Sequence, residues 1–440
     1  MLTALEGEIR FDDAARAAAA EDFGHLVHRT PHAVLRPASA RDVAAAVRWA
    51  ARHGHRFAPQ GRRHSVFGRS QVADGVVADM TALRTVHAVE DDRVAVDAGA
   101  TWRDLLAATL PHGCVPAGLP DYLDLSVGGT LAVGGLGARI SRTGALCDNV
   151  LDLEVVTGRG EILACSPRDR VELFDAVRAG LGQVGVVTRA TLALVPASRH
   201  VHRYLLSYPD LPTMLADQRL LAGDDRFGAV QGAALAGPTG GWTFRLDAVA
   251  DGDPADDVLA GLSDDRQQAQ VTTLTQLEHL DRLARLEQAL RANGQWSLPH
   301  PWLTMFVGDA RVEAVVDAEL RRLTPADLGP FGQVALSAFR RRSVTSPLLR
   351  LPADDLCYAF NLIRIPATGD VAARLVADNR EVYERVRAAG GTLYPPSALP
   401  MSPEDWREHL GPAFGPFREA KQTFDPDHVL TPGYEVFGHP

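Results

Sequence analysis

Pro59-Gln60-Gly61-Arg62-Arg63-His64-Ser65 follows a short strand-like run at Arg56 to Ala58, and the rest of the chain is best read outward from it. A tight turn leaving a strand can point successive backbone N–H groups to one side, a concavity suited to a pyrophosphate. Arg62 and Arg63 add positive charge, and Ser65 adds a hydroxyl. An ordinary surface turn carrying a solvated histidine has the same composition, so the loop alone leaves both readings open.

Upstream, Ser39 as N-cap, an apolar face of Val43, Val47 and Ala50, and Gly54 as stop predict a helix. Downstream, Val76 to Met80 and Val94 to Asp97 predict strands, and Trp102 to Leu110 a second helix. Leu151 to Ala164 reads as a hairpin around Thr157-Gly158-Arg159-Gly160, and Gly185 to Val195 as a strand. Composition shifts near residue 200. Beyond it, strands are expected at Tyr204 to Tyr208, Trp242 to Leu246 and Cys357 to Ile363. Long helices are expected near 271–293 and 373–389, with a polar loop at Asp251 to Asp257. The expected fold class is α+β.

Two further stretches bear on chemistry. Ser126-Val127-Gly128-Gly129-Thr130, continuing to Gly134-Gly135-Leu136-Gly137, lets the backbone approach a flat ligand closely, because no Cβ intervenes. That stretch does not match G-x-G-x-x-G, and no phosphate-binding G-x-x-x-x-G-K-[ST] exists, so neither a nicotinamide site nor a P-loop is supported. A buried glycine turn is the alternative. Just upstream, Leu119-Pro120-Asp121-Tyr122-Leu123 offers a carboxylate that could take a proton from a substrate, or serve as a turn aspartate bonded to nearby backbone.

The 440 residues are enough for about two or three domains. A net charge of -10 argues against nucleic-acid binding. The four cysteines form no C-x-x-C pair, so neither a zinc site nor a disulfide framework is expected, and no metal is assigned. Glu6, Glu8 and Arg10 break the first ten residues, and no long apolar run follows; a cytoplasmic protein free of membrane is expected.

Taken in order, these segments resemble the FAD-binding domain of the vanillyl-alcohol oxidase superfamily, and most closely that of the cytokinin dehydrogenases. Gly61 to Ser65 is similar to a G-R-G-H-S loop, and Asp121 to Leu131 to D-Y-L-x-L-T-V-G-G-T-L. Asp148-Asn149-Val150 through Gly160-Glu161, Gly180 to Ala190, Pro299 to Leu303, Phe424-Asp425-Pro426 and Leu430 to Gly433 also match family segments. The resemblance implies a two-domain flavoprotein with a split FAD-binding domain of two small α/β subdomains. It also implies an antiparallel-sheet substrate domain flanked by helices. The FAD-binding part would span 1–200 and the substrate domain 201–395, with 396–440 returning to the flavin side.

The resemblance further implies that FAD is covalently attached through its 8α carbon to His64. Pro59, Gly61, Arg62, Arg63, Ser65, Arg69, Ser126, Gly129, Ala132, Leu136, Val187, Tyr394 and Thr431 would line the cofactor, and Asp121 would accept the proton. Relatives with a second, cysteinyl bond carry that cysteine near this glycine segment; Tyr122 to Gly129 has none, so a single bond is expected. Trp302 and Gln231 would face substrate. Arg63 stands where the family usually has glycine. Gln231 stands where a glutamate anchors the cytokinin, which moves the expected substrate away from cytokinins. A small-molecule substrate and an electron acceptor, oxygen or another, are the implied partners. A flavin-bound cyclase or isomerase without net oxidation, or a flavin-binding carrier, would share the same motifs.

Overall fold

The computed structural model describes residues 5–237 and 240–438; the first four residues of the stretch read above for a leader lie outside it. Three sheets organise the chain. In the first, Ala33–Arg36, Val76–Asp79 and Phe57–Gln60 run parallel, and Glu8–Arg10 pairs antiparallel at one edge. Helix Ala40–His53 crosses between the first and last of these parallel strands, burying Val43, Ala44, Ala46, Val47 and Ala50. Gly54 ends it in the left-handed conformation, as expected. Ser39 makes no cap bond; Asp42 instead accepts the N–H groups of Glu6, Gly7 and Ala38 and ties the N-terminal strand to the helix start.

The second sheet is antiparallel throughout and centred on the long strand Gly185–Pro196, flanked by Arg93–Asp97 and Val150–Thr157. The expected hairpin is present as Val150–Thr157 and Ile162–Cys165. Helix Trp102–Thr109 starts from a reciprocal Thr101/Asp104 capping box.

Eight antiparallel strands make the third sheet, against which helices Leu211–Gly223, Asp309–Leu320 and Gly369–Ala388 pack. Its apolar core is continuous with that of the second sheet. In this sheet the strands Ala229–Ala236, Leu303–Gly308, Gln333–Arg340 and Thr392–Leu393 escaped the sequence reading. The long helix expected near 271–293 is corrected. Gln270–Thr275 is a strand paired with His200–Leu205, because Val271, Thr272, Thr273 and Thr275 are β-branched, and helices Gln276–Leu280 and Leu283–Ala292 follow it.

The C-terminal segment returns to the first sheet. Phe57 N–H donates to Val429 O, and Thr431 N–H donates to Phe57 O. Asp425 organises this return: its carboxylate accepts Val429 N–H and Leu430 N–H and pairs with Lys421, the only lysine of the chain, at 2.6 Å. Lys421 Nζ also donates to Gln183 O, so the buried pair joins the closing segment to the loop before the long central strand. No helix among the described residues is long and apolar enough to cross a membrane.

Candidate active site

Open parallel sheets place ligands beyond the carboxyl ends of their strands. A cavity of about 560 Å³ lies there, lined by Arg36, Gln60, Gly61, Asp79 and Thr81 at those ends and by Arg62, Arg63 and His64. A second hollow of about 510 Å³ shares Arg36, Arg62, Thr81 and Asp124 with it and adds Arg84 and Arg103. The two form one arginine-rich trough.

Beside Gly61, on the wall of this trough, the two glycine-bearing loops meet. A Cβ on Gly61 would fall 2.0 Å from Ser126 Oγ, and one on Gly129 2.8 Å from the same atom, so side chains at these positions would close the cradle. Pro59 lies in strand Phe57–Gln60, whose far neighbour is the returning segment. Arg63 adopts φ +56, the left-handed region that suits glycine, and its guanidinium donates to Ala18 O. Arg63 thus holds a conformation that glycine adopts without strain. Arg62 Nε donates to Asp124 O at 3.2 Å.

Ser65 Oγ donates to Asp22 Oδ2 at 2.8 Å and is therefore engaged by protein. Asp22 is buried, accepts Gly24 and Gly68 N–H as well, and burial pushes its carboxyl above the usual range. Sequence reasoning missed this brace; Asp22-Phe23-Gly24 carries no periodic signal. Phe23 N–H donates to Arg63 O and Gly24 N–H to Ser65 O, so the segment lies along the histidine loop.

Phe23 sandwiches its ring between His64 at 4.1 Å and His300 at 3.9 Å. Tyr122 stacks near His64 at 4.8 Å, and Trp296 and Trp302 approach it at 6.0 and 6.2 Å. Burial among these rings pushes the His64 imidazole down to about 3, with His300 and Arg62 acting in the same direction. His64 is consequently neutral at physiological pH, with a ring edge on the cavity. Trp302 is fixed by Nε1 donating to Arg364 O.

Asp121 has a different setting. Gln231 Nε2 donates to its Oδ2 at 2.8 Å, and Arg282 Nη2 to its Oδ1 at 2.6 Å. Arg282 also reaches Gln231 Oε1 at 3.3 Å. Arg282 was not singled out from sequence, because an arginine at a helix start is common and only the packing of Leu283–Ala292 over the site reveals it. From the same helix Glu287 accepts the Tyr122 hydroxyl at 2.9 Å. Neither hollow reaches Asp121, whose surroundings Gln231 and Arg282 fill.

The remaining predicted residues separate into two groups. Ala132, Leu136, Tyr394 and Thr431 gather around the second glycine stretch: Leu181 N–H donates to Ala132 O, Gly135 N–H to the Tyr394 hydroxyl, and Thr431 Oγ1 to Gly182 O. Leu136 is half-buried against the core there, and Val187 lies buried in the central strand opposite Val155. Arg69 stands apart. Its guanidinium donates to Leu399 O and Gly433 O between the rings of Phe67 and Tyr434, clamping the C-terminal segment rather than lining the trough.

A narrow glycine cradle, a positively charged trough and a neutral imidazole at its edge fit a flavin dinucleotide. Residues 31–166 match the FAD binding domain family, and 251–437 match the family described as cytokinin dehydrogenase 1, FAD and cytokinin binding. An uncharacterized oxidoreductase of the fasciation locus of Rhodococcoides fascians is 36% identical over 98% of this chain and 99% of its own. Cytokinin dehydrogenase 10 of Oryza sativa subsp. japonica is 34% identical, over 98% of this chain and 89% of its own. The solved structure of 6-hydroxy-D-nicotine oxidase from Arthrobacter nicotinovorans superposes with a TM-score of 0.73 at 21% identity, covering 99% of this chain and 98% of that one, which shows a shared fold. The chain belongs to the cytokinin dehydrogenase family and is an FAD-dependent dehydrogenase or oxidase.

Proposed function

We propose that this protein oxidises a C–H bond next to nitrogen or oxygen in a small molecule, with Asp121 accepting the N–H or O–H proton and His64 holding FAD by a single carbon–nitrogen bond. The observation that carries the reading is the placement of the Asp121 carboxylate by Arg282 and Gln231 next to Tyr122, whose ring stacks on His64. FAD, when bound, supplies the hydride acceptor. The protein's own part is orientation and proton transfer, which hold the donor carbon in a reactive geometry.

Each residue has a defined task in this scheme. The arginines of the trough balance the pyrophosphate charge, while Gly61 and Gly129 let its oxygens approach backbone N–H groups. A neutral imidazole has a free lone pair for the 8α carbon, which a protonated one lacks. The contacts from Arg282 and Gln231 fix the orientation of the Asp121 carboxylate that would receive the proton. Residues 1–200 and 396–440 would hold the flavin and 201–395 the substrate, a division supported by the return of Leu430 to Phe57.

The relatives' names point to amines, cytokinins among them, as donors. Gln231 makes isopentenyl-type adenines poor donors here, because a neutral amide accepts a substrate N–H more weakly than a carboxylate. Anaerobic mixing of the purified flavoprotein with a panel of amines, alcohols and cytokinins tests the proposal. Bleaching of the flavin by an amine or alcohol, with a product two hydrogens lighter, is expected. A product of unchanged mass and an oxidised flavin would overturn it.

A further inference from the structure

A second constellation is built where the third sheet begins. His200 and His202 are alternate residues of strand His200–Tyr208, so both rings project from the same face. Strand Trp242–Asp251 runs antiparallel beside it, with Asp251 opposite Val201. Gly252, at φ +66, then turns the chain back, and its N–H donates to His200 O.

That turn carries Asp253 over the two imidazoles. Its Oδ1 lies 2.9 Å from His200 Nε2 and 3.8 Å from His202 Nε2. One ligand atom from each residue falls within 4.8 Å of the other two. On the far side of the His202 ring, Nδ1 meets Thr273 Oγ1 at 3.2 Å, and the two residues are register partners across the ladder. With Nδ1–H donating to Thr273, the lone pair of Nε2 faces Asp253. Nε2 is nevertheless buried and has no hydrogen-bond partner among the described residues. The carboxylate serves His200 and leaves His202 unsatisfied.

We propose that His200, His202 and Asp253 bind one divalent transition-metal ion, zinc(II) being the best match, with water completing the shell. Zinc bonds of about 2.0–2.2 Å to nitrogen and oxygen set tetrahedral ligands roughly 3.3 Å apart. The two observed separations, 2.9 and 3.8 Å, bracket that value. Two imidazoles with one carboxylate suit zinc, nickel or copper rather than magnesium or calcium. Thr273 would orient the His202 ring, as outer hydrogen-bond acceptors do for metal-bound histidines. The ion satisfies His202 Nε2 and fastens the turn after strand Trp242–Asp251 to the neighbouring strand. None of the three residues lines the arginine trough.

The test uses untagged holoprotein stripped of metal and titrated with zinc chloride by calorimetry, with metal content measured by mass spectrometry. One ion per chain with a dissociation constant on the order of micromolar is expected. His202→Ala should abolish binding. Asp253→Asn, on an exposed turn where folding is not at stake, should weaken it at least about 10-fold, and Thr273→Val by about 10-fold. Flavin absorbance and flavin reduction should be unchanged in all three. No zinc uptake by the wild-type protein, or uptake unchanged in His202→Ala and Asp253→Asn, would overturn the proposal.

Discussion

Around His64 the protein withdraws water, whereas around Asp121 it supplies hydrogen bonds and a paired charge. The imidazole is stacked among Phe23, Tyr122 and two tryptophans, and burial above all, with His300 and Arg62 acting the same way, favours its neutral form. The carboxylate, one residue before Tyr122, keeps partial exposure and is met by a guanidinium and an amide. Two groups linked through Tyr122 thus acquire opposite characters from their surroundings. In the proposed scheme the group that would form a bond through a lone pair is desolvated, and the group that would receive a proton is paired and hydrogen-bonded.

The largest effect is expected at His64. Wild-type protein precipitated with acid should retain all its flavin, since a carbon–nitrogen bond survives unfolding, while His64→Ala should release all of it. Complete release from the wild type would remove the covalent role and leave FAD binding intact. At Asp121 the effect should be kinetic: Asp121→Asn keeps fold and FAD, and stopped-flow flavin reduction slows by roughly 10²- to 10⁴-fold. A rate within a few-fold of wild type would take Asp121 out of the reaction.

The desolvated side also predicts acid sensitivity. His300 is fully buried, its Nδ1–H donates to Phe23 O, and burial pushes it down to about 4. The unfolded chain binds that proton near pH 6.5, so stability is present above this pH and is lost as pH falls toward 4. At about 1.4 kcal/mol for each pH unit of that window, the loss is about 3 kcal/mol. Urea melts of the apoprotein at pH 7 and pH 4 should show it, with a flatter profile in His300→Phe. An equal slope in both proteins would refute the assignment to His300.

The smallest effect sharpens the charged side. Gln231→Glu should improve turnover of isopentenyl-type adenines by about 5- to 30-fold, the scale of exchanging a neutral for a charge-assisted hydrogen bond. Arg282, 3.3 Å from Gln231 Oε1, is placed to balance the added charge. A fall in turnover would show instead that the Gln231 amide works for Asp121 rather than for substrate.

What sequence revealed follows the same division. Segments whose role is local, such as helix Ala40–His53 with its Gly54 stop and the hairpin after Val150, were legible because periodicity and turn chemistry act within a few residues. Strand Ala229–Ala236 was not, since small residues such as Ala233 and Ala234 lack the β-branched signature, and the ladder alone makes it a strand. At the site, Gly61, His64 and Asp121 announced themselves by motif, but the motif carried no direction for their partners. Phe23 packs against His64, and Arg282 pairs with Asp121, through contacts distant in sequence. Arg63 shows the opposite case: its departure from the motif was visible in the sequence, but its left-handed backbone, at φ +56, was not.

The pairing of Phe57 with Val429 and Thr431 bears on how the protein is made. The strand that leads into the histidine loop is synthesised long before its outer neighbour, from which most of the chain separates it in sequence. Until Asp425 has gathered Val429 and Leu430, the sheet that supports His64 has an open edge. The support of the cofactor site is therefore completed only after Asp425 to Thr431 has been synthesised, and a nascent chain arrested before residue 425 should carry its histidine loop on an unfinished sheet.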